Sequence, residues 1–164
     1  MPETTTQTAR AALLTDLERL IRAEIPVTEH MDVRVQRRDA TGLWVAMPLA
    51  PNRNPHATAF AGSLNTLCTV AGWGMTYLLM QEYGLAGTIV IRRSSIKYHE
   101  PIETTTVAAR CRVVAEVDRS HFVEMLTEKG QAKLDHFVEI TGQSEDRPAV
   151  LFAGSYVVTA ASQG

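Results

Sequence analysis

The chain has 164 residues, of which 45% are hydrophobic and 21% charged, and its formal net charge is −2. That length suits one domain, with a core large enough to need neither disulfides nor metals. The near-neutral balance excludes the broad basic field that drives nucleic-acid binding.

Residues 1–7, the start of MPETTTQTAR, are expected to be flexible. They offer no basic segment leading into an apolar one, so no secretion signal is read here. A helix is expected over 8–25. Leu13, Leu17, Leu20 and Ile21 recur at helical spacing and form one apolar stripe, and Pro26 stops it. In MDVRVQRR, Met31, Val33 and Val35 alternate with Asp32, Arg34 and Gln36, the period of a half-buried strand. DATG is a turn, and LWVAMPL resumes the alternation, so the two strands read as an antiparallel hairpin.

A polar loop follows, and then a central helix is expected over 59–83, with Gly84 as its stop. From Ala57 to Gln81 there is no charged side chain, yet Ser63, Asn65, Thr66, Thr69 and Thr76 make the run too polar for a lipid-facing span. It reads as a helix buried nearly all round. Gly62, Gly72 and Gly74 cost about 1 kcal/mol each in a helix, which points to close backbone approach by a surrounding sheet.

Four strands fill the rest. The first is GTIVIRRSSIKYHEPI. The second, TTTVAARCRVVAEV, is expected to run to Val117, with Val107, Ala109, Cys111, Val113, Ala115 and Val117 on one face. SHFVEMLTEKG reads as a short helix capped by Ser120 and ended by Gly130. QAKLDHFVEITG is the third strand, with Lys133, Asp135 and Glu139 outward. PAVLFAGSYVVTA is the fourth, and its continuous apolar run places it inside the sheet. Cys68 and Cys111 lie on apolar patterns without CxxC spacing, so buried free thiols and a reducing, cytoplasmic setting are expected. The fold class is α+β: one antiparallel sheet of about six strands wrapped around one long helix, as a single domain over 1–164 with an added N-terminal helix.

The stretch IKYHEPI, closing the strand after the central helix, resembles the hot-dog fold. APNRNPHATAFAGSLNTLCTVAGWG followed by GTIVIRRSSIKY resembles the YiiD C-terminal domain family. The resemblance implies substrates that are acyl thioesters of coenzyme A or of an acyl carrier protein, no separate cofactor, and a homodimer or tetramer with sites between subunits. It implies either thioesterase or malonyl-acyl-carrier-protein decarboxylase activity, with Asn54 as the catalytic asparagine. Hot-dog thioesterases commonly carry an Asp or Glu on or near the central helix to activate water. Here Asn65, Thr66 and Thr69 occupy that region.

The residues of the loop carry their own chemistry. A helix start has unpaired N–H groups and partial positive charge, and so holds an oxyanion. Gly62 and Ser63 are the expected backbone donors, Asn54 a side-chain donor, and His56 the available base. Asn52 and Asn54 can equally close an Asx-type turn. Thr58, Phe60, Ala61, Asn65, Arg92 and Arg93 are expected to touch substrate, with Lys97, Arg110 and Arg112 as further contacts for phosphates or an acidic carrier. A site with donors but no carboxylate fits malonyl-thioester decarboxylation better than hydrolysis, because loss of carbon dioxide leaves an enolate and needs no base first. A non-catalytic acyl-carrier binding module is the third reading. His136 falls on an apolar strand face and is expected in the core. His30, His99 and His121 show no metal-ligand spacing, so no metal is expected.

Overall fold

A computed structural model describes residues 2–144 and 146–162. The elements are α1 (Pro2–Glu24), α2 (Pro26–His30), β1 (Arg34–Asp39), β2 (Gly42–Pro48), α3 (Ala61–Glu82), β3 (Gly87–Tyr98), β4 (Thr106–Arg112), α4 (Glu116–Lys129), β5 (Gln131–Ile140) and β6 (Val150–Ala160). The six strands form one sheet in the order β1-β2-β4-β5-β6-β3, and every pairing is antiparallel. The α+β architecture expected from the sequence is therefore present.

The sheet curls around α3, and twelve residues of that helix are buried, on all sides of its axis. This explains the missing charge, because between its exposed ends the helix is buried or at most half-buried, with Thr66, Thr69, Trp73 and Tyr77 along its least covered side, and a charge there would lose much of its hydration. Two of its glycines sit against neighbours. A Cβ on Gly72 would lie 2.4 Å from the Tyr156 hydroxyl of β6, and one on Gly74 would lie 3.2 Å from Leu43 of β2 and 3.3 Å from Leu17 of α1. Leu17 and Ile21 of α1 are buried, with Leu13 and Leu14 packed beside them. No helix among the described residues is long and apolar enough to cross a membrane.

Four expectations are corrected. Helix α1 starts at Pro2 rather than near Thr8; a proline suits the first helical position, where its missing N–H costs nothing. Pro26 ends α1 but opens the short helix α2, and β1 then begins at Arg34 instead of Met31. The central helix begins at Ala61, not Ala59. The Ala59 N–H bonds the Ile102 carbonyl at 2.8 Å and the Phe60 N–H bonds the Asn52 carbonyl at 2.8 Å, which holds both residues extended.

The fourth correction is the largest. Strand β4 stops at Arg112, and α4 begins at Glu116 with Ala115 as its N-cap, so Ser120 lies inside the helix. Val113 and Val117 are exposed rather than inward. Glu116 and Asp118 in the first turn favour the positive helix end, and Phe122 and Leu126 are its buried pair at i, i+4. Gly130 closes α4 in the left-handed conformation at φ 69°, as its position in the sequence suggests.

Candidate functional site

The loop before α3 is built by its own polar groups. Asn52 is 2% exposed, and its Nδ2 donates to the Met31 and Pro48 carbonyls, at 2.8 Å each. It ties the end of β2 to the start of β1, which is a structural task. Asn54 closes the loop proper. Its Oδ1 accepts the His56 N–H at 2.9 Å and the Thr58 N–H at 3.2 Å, and its Nδ2 donates to Thr58 Oγ1 at 2.8 Å. The Asn54 and Thr58 backbones pair as well, at 2.8 Å. An amide NH2 carries two hydrogens, and Thr58 takes one. Ala57, at φ 62°, turns the chain between them. Asx-type closure and a donor role are thus compatible in one residue.

Helix α3 opens with Phe60 as N-cap and has no side-chain cap and no acidic residue in its first turn. The first intrahelical bond runs from the Leu64 N–H to the Phe60 carbonyl at 3.0 Å. The N–H groups of Ala61, Gly62 and Ser63 therefore point beyond the helix start. Phe60 is 53% exposed, and a Cβ on Gly62 would meet its ring at 2.4 Å. Glycine thus keeps the backbone donor close to the aromatic wall.

Asn65, one turn on, has a buried Oδ1 without a hydrogen-bond partner among the described residues. Thr66 spends its hydroxyl on the Gly62 carbonyl at 2.9 Å, and the Thr69 carbonyl accepts the Tyr156 hydroxyl at 2.7 Å. Asn54, His56, Thr58, Phe60, Ala61, Gly62, Ser63 and Asn65 thus share one end of α3.

Sequence reasoning missed Tyr98. Its hydroxyl donates to the Ala61 carbonyl at 3.2 Å, which brings the end of β3 to the helix start. The tyrosine of IKYHEPI was the available signal. Burial pushes its phenol pKa up.

Arg92 and Arg93 lie elsewhere, on the middle of β3. Neither makes an ion pair among the described residues, and neither does Lys97 on the same strand. Arg110 and Arg112 differ: both pair with Glu139 on the outer sheet face. That makes them part of a paired surface rather than free anion ligands.

The remaining candidates are structural. Cys68 is fully buried, and burial pushes its thiol up to about 12, so it is no thiolate nucleophile. Cys111 is buried and shifted in the same direction. His136 is 2% exposed and sits in the core, where its Nε2 is 2.8 Å from Thr76 Oγ1 and its ring lies edge-on to Tyr156. Among the described residues, no three His, Cys, Asp or Glu side chains cluster as metal ligands do.

A family model described as "Putative thioesterase (yiiD_Cterm)" matches residues 14–160. Among solved structures, a protein of unknown function from Chlorobaculum tepidum TLS is similar at 27% identity, with a TM-score of 0.87 over 92% of this chain and 96% of that one. A "putative thioesterase" from Shewanella oneidensis is 30% identical, with a TM-score of 0.79 over 91% of this chain and 99% of that one. A thioesterase from Haemophilus influenzae shares the fold at 14% identity, with a TM-score of 0.68 over 92% and 93% of the two chains.

Proposed function

We propose that this chain, which belongs to the "Putative thioesterase (yiiD_Cterm)" family, hydrolyses acyl thioesters of coenzyme A or an acyl carrier protein at the start of α3. The observation that carries the reading is the open first turn of that helix, uncapped and without an acidic residue. A thioester carbonyl oxygen placed there meets the Gly62 and Ser63 N–H groups, and the second amide hydrogen of Asn54 completes a three-donor cradle. Negative charge grows on that oxygen as water attacks, so donors that are already fixed lower the barrier. Thr58 and the loop backbone hold the Asn54 amide in place. His56, exposed on the loop, is the base that takes the proton of the attacking water. The exposed ring of Phe60 and the small Ala61 line the acyl side.

A second reading, decarboxylation of a malonyl thioester, is favoured by one specific observation: no acidic residue occurs between Asp39 and Glu82. The same cradle stabilises the enolate left when carbon dioxide departs, and that step needs no base. A binding module without turnover would keep the cradle and lack chemistry. The long edge strand β3 exposes Ile91 and Tyr98 and is the natural surface for a homodimer or a dimer of dimers.

The test is incubation of the protein with malonyl and simple acyl thioesters on both carriers, with product identification. Free acid plus thiol signals hydrolysis, an acetyl thioester signals decarboxylation, and no product in any arm refutes both. Asn54→Asp keeps the acceptor for the His56 and Thr58 N–H groups but loses the donor. It is expected to lower kcat about 100- to 1000-fold with the loop intact. Wild-type turnover by that variant removes Asn54 from the mechanism. His56→Ala should nearly abolish hydrolysis and affect decarboxylation little.

A further inference from the structure

A cleft of about 590 Å³ lies away from the helix start, between α4 and strands β3, β5 and β6. Its lining is Val90 and Arg92 of β3, His121, Phe122 and Met125 of α4, Gln131, Ala132 and Lys133 of β5, and Val157 of β6. Two of these nine side chains are cationic, one is an imidazole and none is acidic. The others, apart from Gln131, are apolar. A lining of that kind suits an anion carried on a flat or apolar body, and the volume is that of a small-molecule site.

Three further observations show that the cleft is built. Strands β4 and β5 are antiparallel neighbours, which a turn of a few residues can join. The chain instead makes a detour through the fourteen residues of α4, whose Phe122 and Leu126 pack with Leu79, Met80 and Val158 in a second core cluster. The β3–β6 register shifts between Ile91 and Arg93, so Arg92 sits at an irregularity, and bulges of this kind re-aim side chains. Arg92 has no acidic partner among the described residues, whereas nine other Lys and Arg side chains of this chain do.

We infer that the cleft between α4 and β3 binds a phosphorylated nucleotide, the handle that separates a coenzyme A thioester from one carried on a protein. This rests on the thioester reading above and names its carrier. Arg92 and Lys133 grip phosphate oxygens, with the Arg92 fork as the bidentate partner. His121 and Gln131 supply further hydrogen bonds. Val90, Met125 and Val157 take the base or ribose faces. Lys133 also pairs with Asp135 at 3.0 Å, so its charge is shared. Arg92 and Tyr98 are six residues apart on one strand, a separation of about 20 Å. A flexible arm of that reach joins the nucleotide to the carbonyl site.

The experiment is calorimetric titration of the full chain with coenzyme A, 3′-dephospho-coenzyme A and pantetheine, at low and high salt. The expected order of affinity is coenzyme A, then the dephospho form, then pantetheine, and the first two weaken with salt. Arg92→Gln and Lys133→Gln each weaken coenzyme A binding about tenfold, as expected for one charge-assisted contact. Both residues are exposed, and circular dichroism checks that each variant folds. Coenzyme A binding no tighter than pantetheine, or unweakened in both variants, overturns the proposal, as does a protein that binds only thioesters on a carrier protein. Wild-type turnover of an acyl-N-acetylcysteamine thioester, which has no nucleotide, reports separately on the carbonyl site. If that turnover is absent while the coenzyme A order holds, the cleft stands and the chemistry falls.

Discussion

Acidification should destabilise this protein through His136. Its ring lies on the inner face of the sheet beneath α3, beside Thr76 and Tyr156. The Thr76 hydroxyl donates its one hydrogen to the Gly72 carbonyl at 3.0 Å. The histidine Nε2 must therefore carry a hydrogen and donate it to Thr76 Oγ1. Nδ1 is left with a bare lone pair, and it has no partner among the described residues. Burial holds the imidazole pKa down at about 4, against about 6.5 for an ordinary histidine, although the neighbouring Asp135 carboxylate pulls it up. The folded state thus refuses a proton that the unfolded chain accepts. Above the unfolded value both states are neutral, and the group contributes no pH dependence. As pH falls from about 6.5 towards 4 the unfolded state gains the proton alone, and stability declines. At 1.36 kcal/mol per pH unit the full loss is roughly 3 kcal/mol. The assay is urea unfolding of wild type and His136→Gln across this window; glutamine keeps a donor for Thr76 but does not titrate. Asp32, Asp39 and Asp135, whose carboxyls are all held low, titrate in both proteins and cancel in the difference. The wild type should lose about 3 kcal/mol more than the variant between neutrality and pH 4. Parallel profiles would refute the buried neutral imidazole.

Two further outcomes are expected. Gly72→Ala should destabilise, because its methyl meets the buried Tyr156 ring at 2.4 to 2.7 Å and overpacking of about 1–3 kcal/mol exceeds the ~1 kcal/mol helix gain. Gly74→Ala meets only side-chain ends of Leu43 and Leu17 and should be near neutral or stabilising; denaturant midpoints of the pair check the contrast. Light scattering at micromolar concentration should show two or four chain masses, and a charge on the β3 edge, Ile91→Lys, should shift the particle towards one chain mass. A monomeric wild type would remove the edge-pairing reading.

The fold was legible where one physical signal acted alone. The uncharged run before Glu82 marks a buried helix, the alternation of β5 matches its observed faces, and the continuous apolar run of β6 matches its place inside the sheet. It was misread where two signals overlapped. From Val113 to Val117 the sequence alternates as a strand does, but the ladder to β5 ends at the Cys111–Val138 pair, and tertiary pairing decides where a strand stops. Pro26 was read as a stop because a proline forbids a helix behind it more visibly than it permits one ahead. Of the candidate site, the asparagine loop could be read from Asn, His and the following helix. Tyr98 could not be placed, because only the register of β3 on β6 brings it to Ala61. Helix α4 was legible over 120–130 but not in its first turn, because Val113 to Val117 alternate as a strand does.

Helices α3 and α4 treat their N-termini in opposite ways, and the contrast yields one last prediction. Helix α4 begins with Glu116 and Asp118 in its first turn, the ordinary neutralisation of a helix dipole. Helix α3 has no acid in its first turn and no side-chain cap. A stability optimum would place an acid there, worth about 0.3–1 kcal/mol. Ser63→Asp supplies it at the third helical position, half-buried beside Gly62. If the start of α3 were only structural, the variant should be more stable and otherwise unaltered. If the Gly62 and Ser63 N–H groups receive a carbonyl oxygen that gains negative charge, a fixed carboxylate competes for the same donors and repels the developing oxyanion. Turnover should then fall at least about 100-fold, the usual cost of one lost donor, while the urea midpoint rises or holds. A variant that is more stable and turns over acyl thioesters at the wild-type rate would place the chemistry somewhere other than the start of α3.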